Sequence, residues 1–181
     1  MDRPGLPTAD MLIAADVAAE GFGELGEPLT DRMAYVLPAP VKERINGVLR
    51  WAGDTRSLPG ITSQIALVRI ATHRYLSDLE RQHNGGQSFP VPANNNRGRG
   101  PTNAQASARI SVVWPLSLHR RLLGAAAWAA QTGQLPEVTS ANKLVVAALD
   151  RYLTDIEQIH HKGKPFRDPR AKLPAGRPPS R

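Results

Sequence analysis

Two short stretches of this chain alternate their side chains in the same way: Arg32-Met33-Ala34-Tyr35-Val36-Leu37-Pro38 and Arg109-Ile110-Ser111-Val112-Val113-Trp114-Pro115. A period of two is that of a β-strand, so Arg32, Ala34 and Val36 share one face and Arg109, Ser111 and Val113 share the matching face of the second stretch. These residue types offer recognition of a base edge rather than catalysis. A guanidinium can fork onto O6 and N7 of guanine, a serine hydroxyl can donate or accept, and alanine or valine can touch a thymine methyl or exclude a larger group. Strand propensity alone would also place the two valines there. Thr62-Ser63 and Thr139-Ser140 each precede an apolar pattern of helical period. Their hydroxyls suit N-caps, and the amides and dipole of the helices they open favour an anion. Thr62, Ser63, Gln64, Thr139, Ser140 and Lys143 are therefore the candidate phosphate contacts. Arg97-Gly98-Arg99 and Gly176-Arg177-Pro178 fit a narrow A·T minor groove or a general attraction to phosphate, which makes Arg97, Arg99 and Arg177 a third set.

Catalysis has no candidate constellation. The chain lacks a Gly-Lys-Ser/Thr phosphate loop, a Gly-x-Ser-x-Gly elbow and paired acids in an apolar frame. Its five histidines, His73, His83, His119, His160 and His161, have no carboxylate or cysteine at metal-ligand spacing. They are expected at exposed helix ends, with no metal and no cofactor. Zero cysteines exclude disulfides, thiolate zinc and thiol nucleophiles. No apolar run approaches the roughly 18 residues of a membrane span, and the N-terminus has no basic stretch followed by an apolar one. A cytoplasmic protein associated with nucleoid or plasmid is expected.

Charge is unevenly laid out. The 181 residues carry 23 basic and 16 acidic side chains, a net +7, yet residues 1–31 hold seven acids against one arginine. Residues 162–181 hold seven basic side chains against one acid. Eighteen of the 23 basic residues are arginine, the side chain suited to forked bonds. Nucleic acid is the partner this distribution favours, although GC-rich coding alone would also enrich arginine.

The elements that must position these residues come twice. A shift of 77 residues superposes 32–89 on 109–166 without a gap, with 23 of 58 pairs identical. The identities include Arg44/Arg121, Gly47/Gly124, Trp51/Trp128, Tyr75/Tyr152 and Phe89/Phe166. An internal duplication follows. Each copy predicts a strand ended by proline, then a helix with apolar residues at Val41, Ile45, Val48 and Ala52 or Leu118, Leu122, Ala125 and Ala129. After a turn comes a longer helix striped by Leu67, Ala71, Tyr75 and Leu79 or Leu144, Ala148, Tyr152 and Ile156. Trp51 and Trp128 are expected to pack in the core or at the edge of the first helix. One copy cannot bury enough apolar surface alone, so the two are expected to fold against each other within the chain. The layout is an acidic, partly disordered leader over 1–31, units over 32–83 and 109–161, a flexible basic linker over 84–108 and a basic disordered tail over 162–181. The leader is either a docking segment for a partner or a solvated shield for the basic body.

The strand-Pro-helix-turn-Thr/Ser-helix-Tyr-Leu order, seen twice, resembles the ribbon-helix-helix family of DNA-binding proteins, the class of the Arc and MetJ repressors. The resemblance implies a mainly α fold with short β. It implies two ribbon-helix-helix units in one chain forming a pseudo-dimer, a two-stranded antiparallel ribbon over four helices. It also implies major-groove readout by the six outward residues, with no enzymatic activity. Because Ala34 answers Ser111, the two faces differ and suit an asymmetric site. The segment Lys164-Pro165-Phe166-Arg167-Asp168-Pro169-Arg170 with Gly176-Arg177-Pro178 resembles the tail of small ParB-like centromere-binding proteins, which implies a partition role, a ParA-like ATPase as partner and higher assembly on DNA. A transcriptional repressor, a relaxosome accessory protein and an antitoxin or adaptor are the alternatives.

Overall fold

The computed structural model describes residues 29–30, 32–58, 61–93 and 107–167. In chain order they form β1 (Met33–Pro38), α1 (Ala39–Thr55), α2 (Gln64–His83), β2 (Ser107–Val112), α3 (Leu116–Thr132) and α4 (Ala141–His161). Pro38 and Pro115 stand at the junctions of strand and helix, where a fixed φ suits the first turn and the missing amide costs nothing. Ser63 and Ser140 cap α2 and α4, each hydroxyl accepting from the backbone amide three residues on, at 3.1 and 3.3 Å.

β1 and β2 pair antiparallel, Met33 with Val112 through Pro38 with Ser107. This corrects the expectation of two ribbon-helix-helix units. Two such units need two ribbons with their four helices, and the described residues hold one two-stranded sheet, to which each repeat contributes a single strand. Neither repeat closes a sheet by itself, so the repeats are halves of one body. Boundaries shift as well. β2 begins at Ser107, inside the segment expected as linker. Thr30, inside the expected leader, donates its amide to the carbonyl of Trp114 at 2.8 Å and accepts from the Trp114 amide at 3.0 Å.

One apolar core runs through both repeats. Tyr35, Leu37, Ile110, Val112 and Trp114 face down from the sheet, and Ile45, Leu67, Leu76, Leu122, Leu144, Leu149 and Leu153 rise to meet them from the helices. The Tyr35 and Trp114 rings meet edge to face at 5.7 Å, and burial pushes the Tyr35 hydroxyl up to about 12.

The identities retained between the repeats are the contacts between them. Arg44 of α1 donates through Nε and Nη2 to Glu157 of α4, at 2.9 and 2.7 Å. Arg121 of α3 repeats the fork on Glu80 of α2 at the same distances. Trp51 packs on Phe166 and His160, and Trp128 on Phe89 and His83, with ring centroids between 4.5 and 5.0 Å apart. Arg74 lies over the Tyr152 ring while its equivalent Arg151 lies over Tyr75. His83 and His160 thus serve the inter-repeat packing rather than merely ending helices.

Gly47 and Gly124 let the chain after each long helix cross the other repeat's first helix. A Cβ on Gly47 would lie 2.8 Å from the backbone carbon and oxygen of Phe166, and the Phe89 carbonyl blocks one on Gly124. Backbone on a buried aromatic cannot swing aside as a flexible side chain would. Gly47→Ala should therefore destabilise by about 1 to 3 kcal/mol through overpacking, despite alanine's helix propensity. Gly53→Ala in the same helix, with open space around it, should stabilise by about 0.5 to 1 kcal/mol. Urea unfolding of the two variants checks the opposite signs; a stabilised Gly47→Ala would show that the crossing is loose.

Candidate nucleic-acid interface

The outward face of the sheet carries the side chains that the alternation singled out. Arg32, Ala34, Val36, Arg109 and Ser111 are exposed and Val113 is half-buried. Ala34 sits directly opposite Ser111, and these two are equivalent residues of the repeats, 77 positions apart. A pseudo-two-fold axis therefore passes between them. Val36 pairs with Arg109 on one side, and the axis relates that pair to Arg32 and Val113 on the other, just beyond the strand ends. Each end of the face offers one guanidinium beside one valine, with alanine and serine at the centre. Among the described residues no carboxylate stands on it.

The start of each long helix abuts this sheet. Asn142, in the first turn of α4, holds both backbone groups of Val36: its Oδ1 accepts from the amide at 2.8 Å and its Nδ2 donates to the carbonyl at 3.0 Å. Arg69, in the second turn of α2, donates through Nε to the carbonyl of Val113 at 2.9 Å and again through Nη2. Asn142 and Arg69 were missed because the duplication does not repeat them: Ile65 and Val146 stand at the equivalent positions. The polar residue type near a helix start was the one signal available.

The helix N-termini thus flank the sheet on either side. Thr62, Ser63, Thr139, Ser140 and Lys143 are all exposed there, and the first turns of α2 and α4 contain no acid to oppose an anion. Gln64 differs. Its carboxamide accepts from Lys42 and donates to Asn46 Oδ1 at 2.9 Å, so only its backbone amide points the expected way. Burial lowers the Lys42 ammonium below its ordinary range. Arg97, Arg99 and Arg177 lie outside the described residues.

No described helix is long and apolar enough to cross a membrane. Among the described residues no group of three or more His, Cys, Asp or Glu side chains could hold a metal ion. No protein-family model matches the chain, and neither the curated proteins nor the solved structures contain a match to it.

Proposed function

We propose that this chain is a site-specific double-stranded DNA-binding protein that lays its two-stranded sheet in the major groove. The observation that carries the proposal is the pseudo-symmetric outward face, with Arg32 and Arg109 at opposite ends of a strand pair whose far side is buried core. A two-stranded β-ribbon is narrow enough to enter the major groove, and arginine to guanine is the commonest specific contact there. The capped starts of α2 and α4 flank the ribbon where phosphates would lie, supplying register without sequence. The excess of arginine supplies the salt-dependent share of affinity.

The test is selection of bound duplexes from a randomised library, followed by affinity measurement across salt. Enrichment of a guanine-containing site, with log affinity falling linearly in log salt, supports the proposal. Failure to enrich any sequence, with no duplex binding at low salt, overturns it. The narrower partition role rests on the likeness of the tail. Co-purification with a ParA-like ATPase encoded beside the gene would favour it over repression or a conjugative role.

A further inference from the structure

The duplication preserves a glycine, a tryptophan and a phenylalanine on both flanks, but it places charge on only one. Where the chain after α4 crosses α1, it leaves an open groove of about 580 Å³ whose lining includes Trp51, Phe166, Arg50, His161, Lys164 and Arg167. A single acid, Asp54, lines it, with an exposed carboxylate 4.0 Å from Arg50. On the opposite flank Trp128 and Phe89 meet in the same way, yet the equivalents of the charged residues are Ala127, Asn84, Gln87 and Pro90, with Gln131 in place of Asp54. The pseudo-two-fold is broken by a cationic groove on one flank and a neutral surface on the other.

This groove lies at the C-terminal ends of α1 and α4, and α4 alone is 21 residues, roughly 31 Å. It thus lies at the far ends of both helices from the sheet, apart from the face proposed to hold a duplex. We infer that the groove is the docking site of the chain's own acidic leader, residues 1–28. That segment carries six acids against one arginine, the complement of the groove's charge, and its acids are interspersed with Met11, Leu12, Ile13 and Val17. Those apolar side chains suit the Trp51 and Pro165 walls. The leader joins the body at Leu29, which pairs with Pro115 beside the sheet, and 28 residues reach up to roughly 90 Å when extended. The span to the groove is well within that length. Docking in cis also sets a charge filter on the flank: any other acidic ligand must first displace a tethered one.

Zero-length carbodiimide coupling of the full chain tests this, because it joins an amine to a carboxylate only while the two are in ion-pair contact. The expected product joins Lys164 to Asp10, Asp16 or Glu20 within one chain, with a yield unchanged on tenfold dilution. The yield should fall at least fivefold in molar salt, and likewise in an Arg50→Glu/Arg167→Glu variant that retains Lys164. Leader carboxylates that couple to Lys42, Lys143 and Lys162 as readily as to Lys164 would overturn the assignment. So would links formed only between chains, which would give the groove to a second copy's leader. Protection of Lys164 by a duplex oligonucleotide, with no leader link, would give it to nucleic acid. Lys164 and the two arginines lie outside the proposed DNA face, so loss of duplex binding in the Arg32 and Arg109 variants leaves this outcome unaffected.

Discussion

Replacing Arg32 and Arg109 together with alanine will erase most of the preference for the selected duplex over an unrelated one, by roughly 2 to 6 kcal/mol, about 1 to 3 for each forked guanine contact. Both side chains are exposed at the ends of the sheet's outward face, so the loss is not one of folding, and far-ultraviolet circular dichroism should be unchanged. Much of the salt-dependent affinity for any duplex should survive, because in the proposed mode the helix starts and the remaining arginines would still meet phosphate. The single variants should cost similar amounts, since the axis between Ala34 and Ser111 makes the two arginines equivalent. The measurement is competition between selected and scrambled duplexes at fixed salt. Wild-type preference in the double variant would show that the sheet is not the reader.

The largest effect on stability is expected at the buried carboxylates that join the repeats. Glu80 is 4% exposed and Glu157 5%, and each takes both arms of an arginine from the other repeat. Removing one partner of a buried pair leaves the other charge uncompensated, which costs about 3 to 5 kcal/mol. That is a large part of the roughly 5 to 15 kcal/mol that holds a domain. The two sites should differ in a set order. After Glu80→Ala, Arg121 keeps Ser77 Oγ at 3.0 Å, whereas after Glu157→Ala, Arg44 keeps both Asp150 and Thr154. On the arginine side Glu80→Ala should therefore be the more damaging, and Glu157→Ala narrows the gap because it also orphans the buried Phe166 amide, 3.3 Å from Oε1. Chemical denaturation of the two variants decides it, and losses below about 1 kcal/mol at both sites would mean that the forks are weak links.

The strands and helices were legible because their periods are strong. Tyr35 and Leu37 alternate with Ala34 and Val36, Ser63 and Ser140 announce their helices, and the 77-residue shift ties the two halves together. The grouping of these elements was less legible. Periodicity identifies a strand without naming its partner, so the pairing of the two strands was expected only because neither copy could bury its apolar face alone, and each copy was counted as a unit where it is half of one body. The start of β2 was missed because Ser107 and Ala108 are small and show no alternation of size. The interface between the halves was visible only as a list of identities. Nothing in Arg44, Gly47 or Trp51 says that their partners are Glu157 and Phe166 of the other repeat rather than Glu80 and Phe89 of their own. At the proposed site the outward residues followed from the pleat, while Asn142 and Arg69, which fix the backbone of Val36 and Val113, occur once each and left no repeat to notice.

Since Ala93 and Ser107 belong to one polypeptide, separated by thirteen residues, the two halves meet at an effective concentration in the millimolar range. A body assembled from two separate chains would come apart as its copy number fell, and its occupancy of a DNA site would rise with the square of its abundance. Halves that share a chain stay together however few the copies, and under the proposed function the occupancy of a DNA site would rise in proportion to abundance.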